Sequence, residues 1–399
     1  MSADDTAKQP GALATVFRGG HQKLFGQQWP VWVGGILFGL LNVLLFAYEK
    51  PWSAADGVRN WGDWVSNSLG LSEKVIIVPY LYSTSLLNFG IIVGALAAAL
   101  LAGQFGIRTA PARELFKGLI GGILMGMGAS MSFGCNIGGF FSATSALSMA
   151  GPMMMLGLLI GALLGLKLLM WEIEYLPAPR VRPAKKRSTP AAERNPWTQP
   201  MLGALVFIIG FILAIGYNYQ DYPVRGGFLL FGLIIGVIMQ RTRFCFVRAF
   251  REPFMTGEAE TTKAVALAVI IGIIGFAILK WTDLRDRDVF VSPGFWLGSL
   301  AGGTIFGIGM SWSGGCATGS LWRAGEGHIK LWVALVGFAF GASWFRGWLD
   351  DSGWLMRLGE EVFLPDVVGW EWAMAALIAL MLSWYLFVAW NQVKGKFVM

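Results

Sequence analysis

The chain has 399 residues, of which 55% are hydrophobic and only 14% are charged, and it contains 19 tryptophans. This composition excludes an ordinary soluble domain, in which about a quarter of the residues are charged. The formal net charge of +7 lies mostly in short segments beside apolar runs, which is typical of topology signals and not of a nucleic-acid-binding surface. We therefore predict an all-α polytopic membrane protein, since helices satisfy their own backbone hydrogen bonds in lipid.

The first segment, residues 1–29, is polar, lacks the apolar run of a signal peptide and is expected in the cytoplasm. An apolar window then predicts 9–10 transmembrane helices. Several are shorter than the roughly 20 residues that cross a bilayer, which predicts broken or re-entrant helices. The candidate spans are residues 30–48, 85–104, 116–133, 152–171, 201–217, 226–240, 263–281, 295–312, 331–348 and 371–390.

Residues 49–84 separate the first two spans and are predicted to form a long external loop. In one interpretation Trp61, Trp64, Val65 and Leu69 line one face of a short helix that lies at the membrane interface. In the other, the segment is an ordinary loop anchored by tryptophans.

Basic residues predict the orientation of the chain. The connector 172–199 contains six Lys and Arg residues and five prolines, which is typical of an extended cytoplasmic linker. It separates a first transmembrane repeat, 30–171, from residues 200–399, which hold the remaining spans including the second repeat. With ten spans, the basic segment 241–262 also lies inside, the acidic segment 349–367 lies outside, and both termini are cytoplasmic.

One glycine-rich stretch occurs twice. GGILMGMGASMSFGCNIG, from Gly121 to Gly138, and GGTIFGIGMSWSGGCATG, from Gly302 to Gly319, are identical at nine of eighteen positions. Helix packing would explain the glycines, but not the shared ending S-x-S-x-G-C-x-x-G. Because the two copies run in opposite directions in the predicted orientation, we expect two inverted repeats, with a site at their interface as in secondary transporters.

Cys135 and Cys316 are expected at the N-terminus of a short helix that follows each glycine corner. The free N–H groups there attract an anion and favour a thiolate, and two such helices approaching from opposite sides would form an hourglass pore. Alternatively, each cysteine is a small buried hydrophobic residue. Short polar side chains near the corners would replace water around an ion; they are Ser130, Ser132, Asn136, Ser311, Ser313 and Thr318.

The third cysteine, Cys245, lies in QRTRFCFVRAFREPF and has no copy in the first half of the chain. Arg241 and Arg243 would hold an oxyanion beside it in bidentate fashion, or would serve only as topology signals. A soft-metal site formed by the three thiols and His328 is a further interpretation of the residue types, although no C-x-x-C pair supports it.

At these three places the sequence resembles the YeeE/YedE family of membrane proteins, and most of all its longer YedE-type branch. The matching segments are FGCNIGGFF, RTRFCFVRAF followed by MTGEAETTKA, and SGGCATGSLWRAGEGHIKLWVALVG. The resemblance implies an hourglass pore through which thiosulfate reaches the cytoplasm, passed between the thiols of Cys135, Cys245 and Cys316 by weak S–H···S contacts. For the YedE-type branch it also implies a link to selenium metabolism.

The predicted function is an importer in the bacterial inner membrane for thiosulfate or a related soft sulfur anion. The alternatives are a selenium-compound permease and a membrane sulfurtransferase that relays sulfane sulfur as a cysteine persulfide. We expect no metal, cofactor or nucleic acid; the expected partners are the bilayer, the anion and a cytoplasmic sulfur-carrier or rhodanese-like protein. The predicted substrate-binding residues are Cys135, Cys245, Cys316, Asn136, Ser132, Ser313, Thr318 and Arg243.

Overall fold

The computed structural model describes residues 19–71, 75–175 and 198–398, and this part of the chain contains helices and no β-strand. Single helical turns lie at Gln22–Gly26, Pro79–Leu81, Leu355–Arg357 and Leu364–Val368. The main helices are α1 (Val31–Tyr48), α2 (Ala54–Ser68), α3 (Ser83–Leu101), α4 (Ala112–Met131), α5 (Asn136–Ser145), α6 (Ala150–Tyr175), α7 (Thr198–Tyr219), α8 (Pro223–Thr242), α9 (Phe246–Met255), α10 (Glu260–Trp281), α11 (Leu297–Ser313), α12 (Ala317–Gly325), α13 (Ile329–Asp351) and α14 (Trp370–Lys394).

Each of the ten predicted spans coincides with one of these helices. Among the described residues, eight helical stretches are long and apolar enough to cross a membrane, or nine when α4 and α5 are counted as one bent span. Helix α11, with 17 residues, is slightly shorter. The chain is therefore an all-α polytopic membrane protein.

Four shorter helices, α2, α5, α9 and α12, begin inside the bundle. Helix α5 is bent by 42° from α4, and Arg243, in the left-handed region with φ 55°, ends α8 before α9 begins. The segment expected as an external loop contains α2, but its first turns are buried and it packs against α3 and α13. Residues 54–68 therefore form a helix, as the first interpretation expected, and the interpretation of this stretch as an ordinary loop was wrong.

The helices form two sets of seven, α1–α7 and α8–α14, that make corresponding contacts. Helix α4 packs on α13 as α11 packs on α6, and α3 packs on α8 as α10 packs on α1. Likewise, α2 packs on α13 as α9 packs on α6. A helix and its counterpart thus differ by seven in their label.

Helices α4 and α11, which carry the repeated sequence, cross each other in antiparallel directions. A Cβ atom added at Gly121 would lie 2.7 Å from the carbonyl oxygen of Gly309, and one added at Gly128 would lie 2.5 Å from that of Gly302. Only glycine permits two helix backbones to approach this closely. The two cysteine corners consequently lie at opposite ends of the α4–α11 pair.

Residues 1–18 of the N-terminal segment lie outside the described residues, and so do residues 176–197 of the connector predicted at 172–199.

Candidate functional site

Cys135 precedes α5 and is completely buried. Backbone N–H groups from the starts of two helices approach its sulfur: those of Ala54 and Ala55 from α2, and those of Ile137 and Gly138 from α5. Each helix start bears a partial positive charge, because its first N–H groups have no partner within the helix. The surroundings of this thiol are therefore suited to an anion.

Cys245 and Cys316 form a second such centre at the other end of the α4–α11 pair. Cys316 precedes α12 and accepts a hydrogen bond from the N–H of Gly319 at 3.2 Å. Cys245 precedes α9, is completely buried, and its thiol contacts that of Cys316. The N–H groups of Val247 and Arg248 approach the Cys245 sulfur, so two helix starts again converge on sulfur.

Ser53 occupies the position before α2 that Cys245 occupies before α9. A Cβ atom added at Gly138 would lie 2.6 Å from the Ser53 Oγ atom, whereas one added at Gly319 would lie 3.4 Å from the Cys245 Sγ atom. The Ser53 hydroxyl is buried and has no hydrogen-bond partner. It was not predicted from the sequence, and it supplies the polar atom where the first half of the chain has no second thiol.

The predicted polar residues divide into two kinds. Asn136 and Thr318 are completely buried, and neither the amide atoms of Asn136 nor the hydroxyl of Thr318 has a hydrogen-bond partner in the structure. The hydroxyls of Ser132 and Ser313 instead donate to the carbonyl group two residues further along, both at 2.8 Å. The two serines therefore hold the corners in shape, whereas Asn136 and Thr318 have unused polar atoms.

Arg243 is held by a buried carboxylate. Its guanidinium lies 2.7 Å from Glu326, which is completely buried and also lies 3.6 Å from Arg108 and 3.8 Å from His328. Burial lowers the pKa of His328, and the charge of Arg108 adds to this effect. Glu326 was not predicted as a site residue, and it balances much of the charge that Arg243 would offer to an anion.

A cavity opens at each end of the α4–α11 pair. One, of about 310 Å³, is lined by Cys245 and by four arginines, Arg243, Arg248, Arg251 and Arg323. The other, of about 170 Å³, lies at the Cys135 end and is lined by Ala55, Asp56, Arg59, Ala129, Ser130, Phe133, Ala342 and Arg346. Arg241 is buried away from both and donates to the backbone carbonyl of Gln27.

The structure does not gather the three thiols and His328 into one cluster. Within the described ranges, no group of three or more His, Cys, Asp and Glu residues is arranged to hold a metal ion. Cys245 and Cys316 are in contact with each other, whereas His328 faces Glu326 and Arg108.

Fold and site together define a polytopic helical membrane protein with buried thiols at converging helix starts, between two cavities. A family model described as sulphur transport matches residues 3–164 and 241–397, which is most of the chain. The chain belongs to this sulphur transport family, and the resemblance to YeeE/YedE proteins is confirmed.

Several proteins are similar to this chain. It is 27% identical over 337 residues to "Probable transporter YedE" of Escherichia coli strain K12, a match that covers 79% of this chain and 80% of the relative. It is 38% identical over 107 residues to "Thiosulfate transporter TsuA" of the same strain, covering 27% of this chain and 30% of the relative. A protein of that name from Spirochaeta thermophila is 29% identical over 180 residues, a match that covers 41% of this chain and 52% of the relative.

Proposed function

We propose that the chain imports thiosulfate or a related soft sulfur anion across the bacterial inner membrane, through a pore lined by Cys135, Cys245 and Cys316. The main support is that these buried thiols lie at converging helix starts between two cavities at opposite ends of one helix pair. Membership of the sulphur transport family and similarity to proteins named thiosulfate transporters support the choice of cargo.

The chemistry of the two centres suits an anion with one soft atom. Helix starts attract negative charge without a permanent cation, so an ion binds without being held too tightly to leave. Sulfate offers only strongly hydrated oxygens, whereas the terminal sulfur of thiosulfate can meet the weak S–H donors of Cys135 and Cys316. The free polar atoms of Asn136 and Thr318 would serve the oxygens of the ion.

We further propose that the two sets of seven helices are inverted repeats, and that the first repeat extends to Tyr219. The antiparallel crossing of α4 and α11 and the corresponding contacts of the two sets support this arrangement. The basic residues at the Cys316 end favour a cytoplasmic position for that end and for both termini. A sulfur-carrier or rhodanese-like protein would then receive the anion at the Cys245 cavity.

Uptake of radiolabelled thiosulfate by a bacterium without its own thiosulfate uptake tests the proposal. Cys135→Ser and Cys316→Ser should each lower the initial rate by about tenfold or more, because each removes a soft contact at nearly constant volume. Cys245→Ser should also lower it. Ser352→Ala, in an exposed turn, is the control, and the amount of inserted protein is measured for each variant. Normal uptake by both corner variants would remove the thiols from the mechanism.

The same system separates the two alternatives. A persulfide that forms on Cys135 or Cys316 in step with turnover, found by trapping and mass spectrometry, would favour a sulfurtransferase. Stronger competition by selenium compounds than by unlabelled thiosulfate would favour a selenium permease.

A further inference from the structure

The smaller cavity, at the Cys135 end, has a cationic wall that the thiol pathway does not explain. We propose that this cavity is a capture site for tetrahedral oxyanions with two negative charges, sulfate as well as thiosulfate, and that Arg59 and Arg346 bind them. This inference rests on the proposed function and adds to it a first binding step that is selective for charge and not for sulfur.

Arg59 projects toward the route to Cys135. It lies on α2 four residues after Ala55, about one helical turn further along the same face, and the N–H of Ala55 approaches the Cys135 sulfur. Its nearest carboxylate oxygens are those of Asp56 at 3.9 Å and Asp63 at 3.8 Å. These distances exceed those of hydrogen bonds, so the guanidinium N–H groups are available to an anion.

Arg346 faces the same cavity from α13. Its guanidinium lies 4.8 Å from the centre of the Phe133 ring, and its nearest carboxylate is Asp350 at 3.6 Å. A guanidinium above an aromatic ring keeps the N–H groups at its edge free for an oxyanion. Phe133 is two residues before Cys135, so this contact also ties Arg346 to the cysteine corner.

The size and charge of the cavity fit one small anion. The residues that line the cavity are two arginines and Asp56, so the lining itself carries a net positive charge, which Asp63 and Asp350 beside the arginines offset in part from outside the lining. Its volume of about 170 Å³ is several times the roughly 30 Å³ that one water occupies. Two guanidinium groups recognise oxygens and charge, whereas the thiol beyond them recognises soft sulfur. Sulfate should therefore enter the cavity without passing further, and act as a competitive inhibitor from this side.

The kinetics of thiosulfate uptake test the capture site. Arg59→Gln and Arg346→Gln should each raise KM about tenfold, the effect of one lost charge-assisted hydrogen bond, and leave the maximal rate within about twofold. The inhibition constant of sulfate should rise in parallel. Asp56→Asn should have the opposite effect and lower KM, because it removes the competing carboxylate. Arg59→Lys should lie between the wild type and Arg59→Gln.

Arg287→Gln is the matched control. Arg287 is exposed and lies outside the cavity, and this change removes the same charge, so KM should remain within about twofold of wild type. Absence of uptake by the wild type would overturn the proposed function. Normal uptake with an unchanged KM in both glutamine variants, or with no inhibition by sulfate, would overturn only the capture site. Should the glutamine variants fail to insert, an unchanged KM in Asp56→Asn would overturn it.

Discussion

Asn136 is completely buried, yet none of its side-chain polar atoms has a hydrogen-bond partner. An unpaired buried polar group costs about 1–3 kcal/mol, so such groups are rare unless a ligand or a mechanism needs them. Asn42 is also buried, but it accepts a hydrogen bond from the backbone N–H of Trp52 at 3.0 Å and donates one to the Ser142 hydroxyl at 3.2 Å. Asn42 is therefore held by structural hydrogen bonds, whereas the unpaired polar atoms of Asn136 support the proposal that this residue contacts the ion.

We predict that Asn136→Leu leaves the protein as stable as the wild type, or more stable, while uptake of thiosulfate is lost. Leucine has the same branched arrangement of side-chain heavy atoms, and it removes polar atoms that contribute no hydrogen bond to the folded state. Asn42→Leu, the control, should lower the free energy of unfolding by about 1–3 kcal/mol, because it leaves the backbone N–H of Trp52 unpaired. Thermal unfolding of the purified protein and uptake in cells measure the two effects. Normal uptake by Asn136→Leu would exclude Asn136 from the pathway.

The cysteine corners were predictable because their residue types repeat, whereas the position before α2 was not, because its residue type differs. Ser53 follows Trp52 as Cys245 follows Phe244, and in each segment an arginine lies six residues further on, Arg59 and Arg251. That spacing was a usable signal once both segments were compared. The contact between Cys245 and Cys316 left no trace in the sequence, because it depends on how α9 and α12 approach each other in space.

At the scale of elements, glycines determine how closely helices pair. A Cβ atom added at Gly122 would lie 2.1 Å from the carbonyl oxygen of Ala334 in α13. At the counterpart, Gly303, it would lie 2.8 Å from that of Met154 in α6. Backbone atoms cannot move aside as the end of a flexible side chain can. The α4–α13 and α11–α6 pairs therefore require glycine at these crossings.

Gly122→Ala should accordingly destabilise the protein by about 1–3 kcal/mol, since the helices must separate to admit the methyl group. Gly216→Ala in α7 is the matched control, because no atom lies within 4 Å of a Cβ added there. It should be neutral or stabilise by up to about 1 kcal/mol, through the higher helix propensity of alanine. Melting temperatures in the same detergent measure both, and equal values would contradict a close α4–α13 crossing.

Hydropathy predicted the long helices but missed how the short ones are buried. The window ended span 226–240 before Arg241 and Thr242 because these two residues are polar, although both are buried within α8. Helix α2 was assigned to an external loop because its buried face consists of small residues, among them Ala54 and Gly57, and not of large apolar ones. Apolar windows measure transfer into lipid, whereas these residues are buried by other helices.

At the scale of the whole molecule, the glycine contacts of one set of helices recur in the other. Glycines of α1 approach carbonyl groups of α10, and glycines of α8 approach carbonyl groups of α3. The pairs are Gly35 with Ala264, Gly39 with Ala268, Gly232 with Leu87 and Gly236 with Ile91. From the sequence, only the α4 and α11 copies were recognisable, because packing preserves where a small residue is needed and not the identity of its neighbours. The inverted relation of the two sets stays a prediction, and it has a direct test.

The test depends on access to single cysteines from each face of the membrane. In the inverted arrangement, Cys135 is approached from outside and Cys316 from inside. In the double variant Cys245→Ser/Cys316→Ser, Cys135 is the one remaining cysteine. A small membrane-impermeant thiol reagent should therefore label it in intact cells, which present the outer face. In the double variant Cys135→Ser/Cys245→Ser, Cys316 is the one remaining cysteine, and the reagent should label it in inverted vesicles. Thiosulfate should slow both reactions, because it occupies the same helix starts.

Exposed reporters in a cysteine-free background establish which face each preparation presents. Ser352→Cys follows α13 and should react only in cells, whereas Thr256→Cys follows α9 and should react only in inverted vesicles; both positions are exposed. These reporters also show whether each preparation is sealed, so that a slow reaction at a buried thiol can be attributed to its position in the pore. The positive-inside rule assigns the faces, and the antiparallel α4–α11 crossing requires the two corners to differ in access. Labelling of Cys135 and Cys316 from the same face would contradict the inverted repeats, and with them a pore that narrows between two thiol centres.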